Sequence, residues 1–456
     1  MSGGEDLAAW LERQGLGAGA EILRAPAALR ALGAAGEDAM ARAAFAEAAT
    51  DLERAIEILD EMPDADERLS DAFHLRTHLA ECYVVTKGHS APATRRAFED
   101  ALNVGERLGE PVVLATVLVG LISAAAQRAE YAAAQAYADR LTALAQRSGG
   151  AFERGWALFR QGHIQFYQGD LRAARRSFEN AMAVGANEPM TIGGARLSGA
   201  IMVLWPLAVA LMGDIETGTR LADEHLAEAE AAGIPHNLAY VKLGAVACRL
   251  ITGDAAGAEP LARTLVALCS EHQLVSFHAL ASIYLGWSLR RTSHSAEGIG
   301  HATSGVDTLA AIGTKGLVNW FRALLAETLF DAGEEDRALA MIEEAVKQES
   351  LSVFGVPGAL RIKGDLLLRR AATQKSDAAV HSAAMAEVAL KAAIQAARRG
   401  GMLIVELQAA TSLARQFKTR NDSASARQVL EPIYARFKEG LDTPYLLAAK
   451  EILDSL

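Results

Sequence analysis

Apolar residues recur along this chain with a helical period, and the runs are broken at regular intervals. Between Ala39 and Leu59, the side chains of Phe45, Leu52, Ile56 and Leu59 fall on one face at a 3.6-residue repeat, which predicts an amphipathic helix. Met62, Pro63 and Asp64 end it, and Arg68 to Thr86 forms the next helix, closed by Lys87 and Gly88. From there the breaks recur at Gly88, Ala129-Glu130, Gly169-Asp170, Gly213-Asp214, Gly253-Asp254, Ser293-His294, Gly333-Glu334, Ser376-Asp377 and Asn421-Asp422, spaced 40 to 45 residues apart. A second set of glycine-containing loops (Gly149-Gly150, Gly185, Gly233, Gly313, Gly400-Gly401) lies between them. The pattern predicts helix, tight turn, helix, loop, repeated along the chain. Ile201 to Met212 is the most apolar run and reads as a buried helix, too short to span a membrane.

One unit is especially legible. In Trp156 to Val184, the residues Gly162, Gly169, Ala174, Phe178 and Ala181 follow the small/large code of a tetratricopeptide-type helical hairpin. Small residues let the two helices approach, Phe178 is expected to fill space between neighbouring hairpins, and Gly169 ends the first helix at a positive φ. Gly333, Ala338, Ile342 and Ala345 repeat the code. Such a hairpin cannot bury its apolar face alone, so the units must stack. The expected fold is all-α: a right-handed superhelical solenoid of about nine hairpins with a period of about 40 to 44 residues. Residues 1–35 read as a separate short helical segment and Gly-rich linker, comprising an amphipathic stretch from Asp6 to Leu16 and a short helix after Pro26. Residues 36–456 read as the repeat domain.

Composition supports the helical reading. Of 456 residues, 51% are hydrophobic but only 6% aromatic, with 11 prolines, which leaves little material for a β-sheet. The net charge of -11 argues against a nucleic-acid-binding surface over the whole chain. Cys82, Cys248 and Cys269 are widely separated and fit a reducing, cytoplasmic compartment better than a disulfide framework. No signal peptide and no membrane span are visible.

Catalytic motifs are missing. The chain has no Gly-Lys dipeptide and hence no phosphate loop, and no GxSxG or HExxH, so neither an enzyme nor a cofactor is expected. The Gly15 to Gly19 segment reads as a linker. His74, His78 and Cys82 lie at metal-like i, i+4, i+8 spacing, with groove or packing roles as the plainer reading. The hairpin register turns Trp156, His163, Tyr167, Tyr240, Trp287, Arg291, Trp320 and Glu327 towards a concave groove. There they could hold a peptide or partner domain, with filling of space between hairpins as the plainer reading. The Arg290-Arg291 pair reads as a solvated face.

The later chain resembles something more specific. The residues that carry the likeness are Val85-Thr86-Lys87-Gly88-His89-Ser90-Ala91-Pro92, Leu285-Gly286-Trp287-Ser288-Leu289, Leu360-Arg361-Ile362-Lys363-Gly364-Asp365, Glu406 to Arg415 and Phe437 to Pro444. From about residue 40 onwards the chain is similar to the C-terminal tetratricopeptide-type array of bacterial signalling proteins. Those proteins join a class III adenylate/guanylate cyclase or DNA-binding domain to an AAA/STAND-like ATPase. The cyclase and ATPase domains have no counterpart here, and residues 185–200 replace a Tyr-Gly-x-Asp-Pro-like segment. The resemblance implies a non-catalytic scaffold or sensor in bacterial signalling. Its partner would be a protein or peptide, such as a separate ATPase or cyclase, or alternatively a small-molecule effector. Self-association is compatible with such an array.

Overall fold

The computed structural model describes residues 21–42, 44–62, 66–185, 191–192, 195–292, 295–347, 353–374 and 377–456. The Asp6 to Leu16 stretch and the Gly15 to Gly19 segment lie outside them, as do the breaks expected at Ser293-His294 and Ser376.

Two compact units are present, divided between Val117 and Leu118. The first contains α1 (Glu21–Ala41), α2 (Phe45–Glu61), α3 (Leu69–Lys87) and α4 (Pro92–Leu108). The dividing line falls inside α5 (Pro111–Gln127). The second unit continues with α6 (Tyr131–Ser148), α7 (Ala151–Tyr167), α8 (Leu171–Gly185), α9 (Leu197–Leu211), α10 (Ile215–Ala232), α11 (Pro235–Thr252) and α12 (Ala255–Glu271). It ends with α13 (Val275–Thr292), α14 (Ser295–Ala311), α15 (Val318–Asp331), α16 (Glu335–Lys347), α17 (Val356–Thr373), α18 (Asp377–Gly400), α19 (Leu403–Thr419), α20 (Ser423–Tyr434) and α21 (Pro444–Asp454). The one β-ladder among the described residues joins β1 (Thr191–Ile192) to β2 (Ala195–Arg196), just before α9.

The turns are built as the sequence predicts. Gly88, Ala129, Gly169, Gly213, Gly253, Gly333 and Asn421 all have positive φ. At Gly169 (φ 78°) the backbone closes α7 with a bond from the Asp170 N–H to the Gln165 carbonyl at 2.9 Å. Asp170 then caps α8, its carboxylate accepting from the Ala173 N–H at 3.0 Å. Asp254 and Asp422 cap α12 and α20 in the same way. At these three turns a glycine or asparagine followed by aspartate is thus a two-residue device: the first residue stops one helix and the second starts the next.

Packing within the hairpin follows the small/large code, with one change. A Cβ on Gly162 would lie 2.7 Å from the Phe178 ring. Phe178 therefore seats inside its own hairpin, against Gly162 and Phe159 (ring centroids 6.0 Å), where the code was expected to place it between neighbouring hairpins. Ala174, Phe178 and Ala181 are fully buried.

The N-terminal reading also changes. The helix expected from Ala39 to Leu59 is two helices: α1 runs through Pro26 to Ala41, and α2 starts at Phe45. They pair as a further hairpin, in which a Cβ on Gly36 would lie 2.9 Å from Leu52. The boundary read near residue 35 falls inside α1. This alanine-rich stretch has no Gly-Asp break, so long-range packing and not local sequence places the turn.

Unit 2 also makes contacts between elements far apart in sequence. The N–H groups of Lys315 and Gly316 donate to the Gln127 carbonyl at 2.8 and 2.9 Å. Phe166 and Phe354 stack at 4.6 Å. The Glu439 carboxylate accepts from the Thr217 N–H at 2.9 Å, and Glu216 accepts from the Gly440 N–H at 2.8 Å. Leu403 and Phe437 pack on Gly213, and Tyr445 packs on Gly253. Hairpins about five repeats apart therefore touch, beyond the nearest-neighbour contacts of a simple solenoid. No helix among the described residues is long and apolar enough to cross a membrane.

Candidate functional site

The inward face of α7 carries Trp156, Phe159, Arg160, His163 and Tyr167, spaced at helical intervals so that their side chains line one stripe. Their rings form a ladder. Trp156 meets Phe159 edge-on at 5.8 Å, Phe159 stacks on His163 at 6.1 Å, and His163 meets Tyr167 edge-on at 4.7 Å. The Arg160 guanidinium lies 4.8 Å from the Phe159 ring centroid and 5.7 Å from that of Trp156. Its Nη1 donates to His163 Nδ1 at 3.2 Å, which places the imidazole lone pair on Nδ1.

Trp156, His163 and Tyr167 are each less than a tenth exposed. Arg160 and Tyr240 are half-buried, yet burial pulls the Arg160 guanidinium down to about 10, partly offset by the Tyr240 and Tyr167 phenols. Burial likewise raises the Tyr167 and Tyr240 phenols. From α11, His236 and Tyr240 reach the same region and flank Phe277 of α13, with ring centroids 5.1 and 5.4 Å apart. Burial brings His236 down to about 4, so it is neutral at pH 7.

A second cluster is ionic. Glu327 of α15 is 4% exposed and faces three arginines. Arg291 Nη2 lies at 3.3 Å, Arg290 Nη2 at 3.5 Å and Arg361 Nη1 at 3.9 Å from its Oε1. Burial acts to raise the Glu327 carboxyl, but Arg291, Arg290, Arg361 and Arg369 outweigh it and hold it at about 2. Arg291 also donates to the Tyr445 hydroxyl at 3.1 Å and stands 4.4 Å over the Trp287 ring. Arg361 pairs with Asp365 at 2.8 Å. The Arg290-Arg291 pair, read as a solvated face, is thus an internal anchor. The sequence around these arginines gave no sign of it, since the carboxylate partner of Arg291 stands 36 residues away.

The structure therefore divides the eight groove residues. Trp156, His163 and Tyr167 share the α7 stripe, and Tyr240 joins them through Arg160. Trp287, Arg291 and Glu327 form the ionic cluster. Trp320 is half-buried against α17, where a Cβ on Gly358 would lie 2.3 Å from its ring. Sequence reasoning missed Arg160, His236, Arg361 and Tyr445. Arg160 was within reach of it, being four residues beyond Trp156 on the same face.

In unit 1, His74 and His78 stack at 6.3 Å along α3, and His78 Nδ1 lies 3.8 Å from the Glu37 carboxylate. Cys82 is fully buried, and burial, with Glu81 adding to it, pushes its thiol up to about 12. No group of three or more His, Cys, Asp or Glu side chains suited to a metal is found among the described residues. A cleft of about 480 Å³ opens between α2, α3 and α4, where Ile56, Leu79 and Val104 mix with Asp60, Arg76 and Asp100.

No protein-family model and no curated protein matches the chain. Among solved structures it is similar to a Rap protein complexed with competence and sporulation factor, at 9% identity and TM-score 0.49, over 95% of this chain and 99% of that one. It is similar to yeast Tom70 at 14% identity and TM-score 0.40, over 94% and 95%. It also matches a Signal Transduction ATPase with Numerous Domains (STAND) protein with a tetratricopeptide repeat sensor from Pyrococcus horikoshii, at 14% identity and TM-score 0.42. There the match covers 88% of this chain and 56% of that one. The likeness is one of helical-repeat fold.

Proposed function

We propose that the chain is a non-catalytic regulatory sensor that encloses a small ligand, a short peptide or an organic effector, on the inner face of unit 2. The observation that carries this reading is the convergence of Trp156, Arg160, His163 and Tyr167 from α7 with His236 and Tyr240 from α11. Concave sites lined by aromatic walls and a few directional polar groups suit small ligands. The aromatics expected along an open groove are mostly enclosed, which favours a short ligand over an extended partner domain. The ionic cluster around Glu327 ties α13, α15, α17 and α21 of the same unit together. Ligand binding would in this way be passed to a separate signalling partner, in keeping with the resemblance to arrays that serve ATPase- or cyclase-linked regulators.

The test is a thermal-shift and calorimetric screen of the full chain against tri- to octapeptides and metabolite-sized organic compounds. Ligands with Kd at or below about 100 µM are expected. Tyr240→Ala should weaken them at least tenfold without lowering helix content. Hits that bind equally well to Tyr240→Ala would place the site elsewhere.

A further inference from the structure

Arg160 differs in its surroundings from the other interior arginines. Arg290, Arg291 and Arg361 share Glu327, and Arg249 pairs with Asp223 at 2.7 Å. Arg160 has no carboxylate within ion-pair distance among the described residues, and its buried Nε has no hydrogen-bond partner. One of its five N–H donors is directed at His163, a neutral acceptor. An enclosed cation without a counter-charge is unfavourable, and proteins seldom keep one unless something supplies the anion.

The groups around it narrow the anion. Tyr167 and Tyr240 are within electrostatic range, and their phenols donate hydrogen bonds without adding negative charge. Phe277 stacks on Tyr240 with planes 14° apart, beside His236. One planar guanidinium edge matches one carboxylate in bidentate fashion. A phosphate dianion would call for more positive charge than this single fork provides. The flat walls of Tyr240 and Phe277 suit an apolar or aromatic body attached to that carboxylate.

We infer that Arg160 is the anchor for a carboxylate monoanion on the ligand of unit 2, held by the guanidinium N–H groups not directed at His163, with the ligand's apolar body against Tyr240 and Phe277. This rests on the proposed small-ligand function and names the chemistry of its ligand. A free peptide C-terminus and a small aromatic acid both present such a group.

The experiment measures the unfolding midpoint and calorimetric binding of the full chain at constant ionic strength. The probes are 3-phenylpropionate, its primary amide, a Phe-terminated tripeptide as free acid and as C-terminal amide, and inorganic phosphate. Wild type should be stabilised by at least one acid and not by the matching amide, and whichever acid binds tighter identifies the source of the carboxylate. Arg160→Met should lose the acid effect at least tenfold, while its own midpoint without ligand stays level or rises, because an uncompensated cation has been removed. A fall in that ligand-free midpoint would assign Arg160 a structural role and overturn the inference. So would acid and amide binding alike, phosphate binding more tightly than either acid, or no probe shifting the wild type. If acid and amide bind alike and Tyr240→Ala abolishes both, the anchor fails while the small-ligand function stands.

Discussion

At the scale of single residues, the charge of the interior is decided by pairing. Glu327 is ionised inside unit 2 because three guanidinium groups lie within 4 Å of one of its oxygens. Removing one member of such a cluster leaves the others buried without compensation. Glu327→Gln should therefore destabilise the protein by about 2 to 4 kcal/mol, measured by urea unfolding at pH 7. The pH dependence has a defined sign. The carboxyl sits at about 2 in the folded chain against 4.5 when unperturbed, so the unfolded chain takes up the proton first. Its contribution is complete above about pH 4.5 and declines as the pH falls towards 2. Glu327→Gln should flatten that acid limb, and an unchanged slope would remove Glu327 from the account. Glu81 in unit 1 behaves in the opposite direction. Burial raises its carboxyl to about 7, so its proton is held more tightly in the folded chain and stability falls as the pH rises from 4.5 through 7.

At the scale of elements, most of the described hairpins turn on a residue that holds positive φ. Most of the turns use glycine, but Ala129 adopts φ 60° between α5 and α6. An L-residue with a Cβ is strained there by roughly 1 kcal/mol. Ala129→Gly should relieve that strain and raise stability by about 0.5 kcal/mol after the entropy of the unfolded glycine is counted. The comparison is best made by melting temperature beside Asn421→Gly, where asparagine already tolerates φ 58° and the gain should be smaller. A loss in Ala129→Gly would show that the turn is not locally strained. These turns were legible in the sequence because their requirements are local: a residue that permits positive φ, then an aspartate whose side chain caps the next helix. The α1–α2 turn was not legible, since its alanine-rich sequence is helical on either side and Leu52 packing on Gly36 is what brings the two helices together.

At the scale of the whole of unit 2, the chain meets itself after about five hairpins. Gly316 sits where this happens. A Cβ there would lie 2.6 Å from the Tyr167 ring and 2.8 Å from the Ala126 carbonyl. Gly316→Val should force the α14–α15 loop away from α5 and α7. The expected result is a loss of about 1 to 3 kcal/mol. An increased radius of gyration by small-angle scattering should accompany it. Because Tyr167 and Arg160 share one face of α7, the same variant should also weaken acid binding. A compact, fully stable Gly316→Val would mean that this closure carries little energy. The candidate site was only half legible for the same reason. Trp156, His163 and Tyr167 could be placed on one face by counting along α7, whereas the arrival of Tyr240 and His236 depends on how α11 stacks.

The sequence by itself determined the repeat period, most of the helices and the turns marked by glycine or asparagine. Those follow from hydrogen bonds and dihedral preferences that act within a few residues. Tertiary structure decided that the aromatic stripe of α7 is buried, that Arg290 and Arg291 meet Glu327, and that Arg160 is left without an acid. Whether a charge is paired or a ring is enclosed depends on groups tens to hundreds of residues distant, and no local pattern encodes their arrival.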